Sequence, residues 1–190
     1  GIICLGIRLG LLDILKVGVI GIPLIIACII ISIILVNFFC KLLNVPSKIG
    51  SLIAVGTSIC GASAIVATSP AINADKEEVT YAIANITIFG IIAMFVYPFL
   101  AHYLFSGDEL SIGLFLGTSI HETAQVAGAG LIYSEQYSSP ATMDFATVTK
   151  LVRNISMIFV IPFISYLYLK NNINKKNNKT EILSMFPIFI

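Results

Sequence analysis

Long uncharged apolar runs constrain this chain more than any other feature of its sequence. Residues 17–40, between Lys16 and Lys41, contain no charged side chain and are rich in isoleucine and leucine. A helix of this length can cross the roughly 30 Å hydrocarbon core of a bilayer. Because lipid offers the backbone no hydrogen-bond partners, and the alternating pattern of a membrane strand is absent, the run predicts a transmembrane helix.

Further apolar runs follow, separated by polar turns rich in Ser, Asn, Gly and Pro. The terminal runs are too short to cross a bilayer, so we expect one membrane domain over 1–190 that is truncated at both ends. The pattern predicts an all-α, polytopic transmembrane helix bundle. Its predicted spans lie at about 17–40, 49–74, 79–107, 110–134 and 145–169, with a partial span at 182–190.

Charge supports a membrane environment and suggests an orientation. Only 11% of the residues are charged, whereas a soluble domain has about 25%, and the net charge of +1 gives no indication of a nucleic-acid partner. The loops at 41–48 and 170–180 carry lysines, and the loop at 75–78 is acidic on balance. Four predicted crossings separate the lysine-rich loops, so both are predicted to be cytoplasmic.

The tetrapeptide Gly-Thr-Ser-Ile occurs twice, at 56–59 and 117–120, each time in a stretch of small and hydroxyl residues. Such stretches allow close helix packing, with hydroxyl hydrogen bonds between helices. They also allow a broken helix, whose freed amides and half-helix ends bind a solute or an ion. Both interpretations remain open, and the second makes candidate ligands of Thr57, Ser58, Ser63, Thr118 and Ser119.

His121 and Glu122 lie near the middle of the predicted span 110–134, where ionisable groups are costly and usually functional. In a continuous helix, His121 and Gln125 would share a face. The alternatives are an interhelical hydrogen bond and a site for a solute or a coupling proton. Gln125 stands where a zinc protease would need its second histidine, so neither a metal nor another cofactor is expected.

Lys150 and Arg153 are three residues apart and therefore lie on one helix face. Either they extend to the lipid headgroups, or they form a cationic site for an anionic solute. An arginine can hold an oxyanion with two parallel hydrogen bonds, and a lysine adds a point charge.

Several motifs resemble the YeiH-type family of bacterial inner-membrane proteins, whose family label is sulfate export. The similarity covers nearly the whole chain, and its motifs are Gly56–Ala64, Glu78–Ala84, Phe89–Pro98, Ser119–Gly130 and Lys150–Arg153. The resemblance implies a multi-pass protein of the bacterial plasma membrane, with inverted repeats and a broken helix in each half. It places the first broken helix at 49–74 and the second beyond Ile190, so that the two Gly-Thr-Ser-Ile copies would not be an inverted pair.

Together these features predict a secondary transporter that moves a small anion, such as sulfate or a related sulfur oxyanion, by alternating access. A proton or a sodium ion would be the coupling ion. We expect no enzymatic activity. Two alternatives are a membrane-embedded enzyme that uses His121 and Glu122 as acid and base, and a structural membrane subunit that transports nothing.

Overall fold

A computed structural model of the chain describes residues 11–172, and these residues are helical, with no strand among them. The predicted all-α helical class is confirmed. The predicted partial span at 182–190 and most of the loop at 170–180 lie outside the described residues. The helices are α1 (Leu11–Leu42), α2 (Ser47–Ser58), α3 (Gly61–Thr68), α4 (Lys76–Phe105), α5 (Glu109–Ser119), α6 (Thr123–Tyr137), α7 (Pro140–Ile155) and α8 (Met157–Asn172).

Within residues 11–172, α1 and α4 are long and apolar enough to cross a membrane. A third crossing results if α7 and α8, which meet at a 44° bend, count as one span. Large apolar side chains of α1 and α4 are exposed, for example Phe38 at 59% and Phe95 at 56%. Side chains of this kind are stable at a lipid-facing surface because the surrounding solvent is itself apolar.

Helices α2 and α3 form a re-entrant hairpin, which we call hairpin 1. At its base, the Lys48 ammonium donates a hydrogen bond to the Asn73 carbonyl at 2.7 Å and lies 3.6 Å from the Glu78 carboxylate. A continuous helix would separate residues 48 and 73 by about 38 Å. The segment predicted as a single crossing at 49–74 therefore enters the bundle and returns to the face from which it came.

Helices α5 and α6 form a second hairpin, which we call hairpin 2. The Ser139 hydroxyl, just beyond α6, donates to the Glu109 carboxylate at the start of α5 at 2.6 Å. A continuous helix would place these two residues about 45 Å apart. The predicted crossing at 110–134 is thus also a re-entrant segment, and α7 packs along both of its arms, against Gly117 on α5 and Gly130 on α6.

The two hairpins enter from opposite faces of the bundle. Helix α4 begins at the base of hairpin 1, where Asp75 and Glu78 form a capping box, and ends at the base of hairpin 2. Its 30 residues extend about 45 Å, which is enough to cross the hydrocarbon core. Along the return crossing, α7 packs on hairpin 2, and α8 packs on hairpin 1 through Ile161 and Ile164.

This arrangement is an inverted repeat within the described residues. Each unit is a long helix followed by a hairpin, α1 with hairpin 1 and α4 with hairpin 2, and the units run in opposite directions. In both units Gly-Thr-Ser-Ile ends the first arm, at 56–59 and at 117–120. The expectation that these copies are not an inverted pair is therefore wrong, because a second interrupted helix occurs well before Ile190.

Two re-entrant segments change the predicted loop positions. The acidic loop at 75–78 lies beside Lys48, on the same face as the 41–48 loop, instead of on the opposite face. Only α4 and the α7–α8 pair cross between the 41–48 loop and the end of α8. Two crossings, like the four that were predicted, return the chain to the face from which it started. The 41–48 loop and the end of α8 therefore still share a face, and their cytoplasmic location stays a prediction.

This topology predicts a specific labelling pattern. In a protein whose native cysteines are replaced by alanine, single cysteines at Asn44 and Asn73 should react with an impermeant maleimide from the same side of the membrane. A cysteine at Ser106 should react only from the other side. If residues 49–74 crossed the membrane, Asn73 would instead react from the side opposite to Asn44, and Ser106 would label together with Asn44, because α4 still crosses between Asn73 and Ser106.

Candidate functional site

The tips of the two hairpins expose backbone groups deep inside the bundle. Helix α2 ends at Ser58, and α3 begins at Gly61, whose φ of +47° lies in the left-handed region that glycine adopts without strain. Helix α5 ends at Ser119, and Ile120 and Glu122 are extended before α6 begins. Each break leaves the last carbonyls of one arm without partners from their own helix.

Lys150 joins the two tips. Its side chain is 0% exposed, and its ammonium donates to the Ile59 carbonyl of hairpin 1 and the Ile120 carbonyl of hairpin 2, each at 2.9 Å. Those carbonyls lie at the carboxyl ends of α2 and α5, where the helix dipole is negative. A single buried cation therefore stabilises both broken helices.

Arg153 makes the same connection one turn further along α7. It is 2% exposed, and its Nε and Nη2 donate to the carbonyls of Ser58 at 3.0 Å and Thr57 at 2.7 Å. Its Nη1 donates to the Thr118 carbonyl on the other hairpin. Neither cation extends to a headgroup, and most of their N–H groups already have backbone acceptors. We call residues 57–61, 118–123 and 150–154 the tip junction.

The hydroxyl groups predicted as ligands are mostly bonded to their own helices. Ser58 donates to the Val55 carbonyl at 3.1 Å, and Ser119 donates to the Phe115 carbonyl at 2.6 Å. Thr118 donates to the Leu114 carbonyl at 2.7 Å. These oxygens keep lone pairs that can still accept a hydrogen bond. Thr57 is half-buried at the junction, while Ser63 is exposed on α3.

Glu122 caps the amino end of α6. Its carboxylate accepts from the backbone of Gln125, while the Gln125 side chain accepts from the Glu122 amide, in a capping box. The Thr87 hydroxyl of α4 donates to Glu122 at 3.2 Å, and the Gln125 amide nitrogen donates to the Thr87 carbonyl at 3.3 Å. Because the helix is interrupted at 120–122, the helical face predicted for His121 and Gln125 does not form.

Two buried polar atoms at the junction lack a hydrogen-bond partner among the described residues. They are His121 Nδ1 and Asn154 Oδ1. The Asn154 amide nitrogen donates to the Thr123 hydroxyl at 3.2 Å, and that hydroxyl lies 3.6 Å from the Cys60 sulfur. Orphan buried atoms are rare in folded proteins and mark a place where a ligand or water completes the bonding.

Sequence reasoning missed Asn154, Thr123, Thr87 and Cys60 as members of the site. Asn154 could have been found, because it lies next to Arg153 and one helical turn after Lys150, on the polar side of α7. Thr87 and Cys60 carry no such signal, since their roles depend on contacts between distant segments. Among the described residues, no cluster of His, Cys, Asp and Glu side chains has the geometry of a metal site.

The sequence profile of the family described as "Conserved hypothetical protein 698" matches residues 1–190. The chain belongs to this family. It is the YeiH-type family, also called UPF0324, so the resemblance predicted from the motifs is confirmed. Family 698 is a family of membrane proteins whose function is uncharacterised, and no relative's name confirms sulfate export.

Curated members of family 698 align with the entire chain. A UPF0324 membrane protein of Fusobacterium nucleatum is 36% identical over 191 residues, which cover 100% of this chain and 54% of that protein. Corresponding proteins of Streptococcus pneumoniae and Pasteurella multocida are 33% and 36% identical and are covered to 55% and 56%. The chain thus spans about half the length of these relatives. No solved structure is significantly similar to it.

Proposed function

We propose that this chain forms the solute-binding core of a secondary transporter for a small anion, which binds at the tip junction. One observation carries the proposal: two fully buried cations, Lys150 and Arg153, lie between the tips of two hairpins that enter from opposite faces. Buried charges are expensive in a membrane protein and usually mark a solute or ion pathway.

The paired hairpins suit alternating access. Hairpin 1 separates the junction from one face of the membrane, and hairpin 2 separates it from the other. If one hairpin moves away from α7, the carbonyls that it presents to Lys150 and Arg153 leave with it. The freed N–H groups then become donors for an anion, which enters from the side that has opened.

Electrostatics at the junction favour an anion over a cation. Lys150 and Arg153 supply two positive charges and Glu122 one negative charge. Helices α3 and α6 also begin at the junction, and the positive end of a helix dipole, at the amino terminus, attracts negative charge. Small sulfur oxyanions, the class to which sulfate and sulfite belong, are the solutes proposed for such a site.

Glu122 and His121 are the groups proposed to couple transport to a proton, with sodium as the alternative coupling ion. Both residues lie at the tip of hairpin 2, and Glu122 also contacts hairpin 1, since a Cβ on Gly61 would lie 2.7 Å from its Cγ. Protonation of Glu122 would change the charge beside both tips. The proposal contains no catalytic step, and it places the protein in the bacterial plasma membrane.

Flux assays on the intact protein in vesicles test this function. We expect labelled sulfate, sulfite or methanesulfonate to move under an imposed ion gradient. Glu122→Gln, which keeps the side-chain shape, should abolish the stimulation by a proton gradient while anion exchange continues. Asn37→Leu is the matched control, because Asn37 is exposed on α1 and far along the chain from the junction.

Absence of flux for all three anions under proton and sodium gradients would overturn the anion proposal. If the unaltered protein hydrolysed a substrate and the Glu122→Gln and His121→Ala variants did not, the membrane-enzyme alternative would be favoured. Absence of both flux and hydrolysis, with growth unchanged in the two variants, would favour a structural subunit.

A further inference from the structure

Asn154 presents an unused hydrogen-bond acceptor to the tip junction. It follows Arg153 in the last turn of α7, and Thr123 holds its amide nitrogen at 3.2 Å. Its Oδ1 is buried and accepts from no group among the described residues. A buried acceptor in this state favours a ligand that brings its own donor, because an unbonded buried oxygen is costly.

The charges around this acceptor compensate one negative charge and no more. The titratable groups of the junction, together with one that faces Arg153 from outside it, are Lys150 and Arg153 on α7, Glu122 and His121 on hairpin 2, Cys60 on hairpin 1 and Cys28 on α1. By formal charge, the two cations and the one carboxylate leave a single net positive charge. A dianion would therefore carry one uncompensated charge into a buried site.

We infer that the tip junction selects a monoanion that carries its own O–H or N–H group, and that Asn154 Oδ1 accepts the hydrogen bond from that group. Hydrogen sulfite and sulfamate have this chemistry, whereas sulfate has two charges and no donor. The inference rests on the proposed anion transport and adds a rule for which anions are accepted. His121 Nδ1, the other orphan atom, is a second available partner for the same solute.

Three tetrahedral sulfur anions allow the effect of net charge and the effect of a hydrogen-bond donor to be measured separately near neutral pH. Sulfamate is a monoanion with N–H donors, methanesulfonate is a monoanion without donors, and sulfate is a dianion without donors. Uptake of each ³⁵S-labelled anion would be measured with the intact protein in proteoliposomes. We expect sulfamate to be taken up about fivefold to tenfold better than methanesulfonate, and methanesulfonate at least about tenfold better than sulfate.

Variants of Asn154 test the acceptor directly. Asn154→Leu should remove the preference for sulfamate over methanesulfonate and leave both ahead of sulfate. Asn154→Asp keeps the shape and the acceptor but cancels the net positive charge, so uptake of all three anions should fall. Asn37→Leu makes the same asparagine-to-leucine change on the exposed face of α1 and should alter none of these ratios.

The outcomes distinguish this inference from the function on which it rests. If none of the three anions moves, the proposed function itself fails. If sulfate moves as well as methanesulfonate, the monoanion rule is wrong. If sulfamate has no advantage in the unaltered protein, or keeps its advantage in a folded Asn154→Leu variant, Asn154 is not the acceptor.

Discussion

Arg153→Met is expected to lower the free energy of unfolding by about 3 kcal/mol, because it leaves several buried carbonyls without a donor. Arg153 connects Thr57 and Ser58 of hairpin 1 to Thr118 of hairpin 2. Methionine fills similar space but donates no hydrogen bond. The chain contains no tryptophan but has four cysteines, so unfolding in detergent is best followed with a thiol-reactive dye.

Lys48→Met is the matched control for this substitution. It also replaces a cation with methionine, but the Lys48 side chain is 30% exposed and its ion pairs are at the base of hairpin 1. Partly exposed pairs of this kind contribute about 1 kcal/mol or less. If both variants unfolded at the same temperature, the carbonyl contacts of Arg153 would contribute no more to stability than the partly exposed ion pairs of Lys48.

Arg153→Lys gives a finer test of the same contacts. It keeps the positive charge but replaces the planar fork with a point charge on a different stem. We expect stability between those of the unaltered protein and Arg153→Met. If Arg153→Lys were as stable as the unaltered protein, the positive charge alone, and not the three directed hydrogen bonds, would account for the stabilisation of the hairpin tips.

Gly117→Ala is expected to destabilise the protein by about 1–3 kcal/mol through overpacking. A Cβ at this position would lie 2.6 Å from the Ala146 carbonyl oxygen and 2.6 Å from Thr149 Cβ. The carbonyl belongs to the backbone of α7 and cannot rotate away, so α5 and α7 must separate. Because Thr118 follows directly, the separation should also weaken its hydrogen bond from Arg153 and reduce anion flux.

Gly128→Ala provides the comparison within the same hairpin. Its added Cβ would lie 2.7 Å from the sulfur of Met94, the flexible end of a side chain that can move. Alanine also favours a helix over glycine by about 1 kcal/mol. We therefore expect a small effect on unfolding for Gly128→Ala, measured by the same dye assay. If Gly128→Ala lost as much stability as Gly117→Ala, close packing of α5 against α7 would not be the cause of the loss.

Local signals in the sequence anticipated the helical class and many members of the candidate site. Charge-free runs identified the lipid-facing helices, and the rarity of ionisable groups inside them singled out Glu122, Lys150 and Arg153. The partners of the two cations could not be anticipated. Lys150 binds carbonyls of Ile59 and Ile120, which are 91 and 30 residues away and have side chains that give no hint of this role.

The long uncharged runs were sufficient to place this chain in lipid, because runs of this length and apolarity have no other stable environment. The sequence also contains the two copies of Gly-Thr-Ser-Ile at which the helices are interrupted, but it left open whether such copies mark a broken helix or close helix packing. That the interrupted segments turn back instead of crossing is visible in the packed fold but not in the sequence. A crossing and a hairpin have the same local composition. The hairpin is stabilised because Lys150 and Arg153 of α7 donate buried hydrogen bonds to the broken helix ends. For hairpin 1 these donors lie more than 90 residues further along the chain.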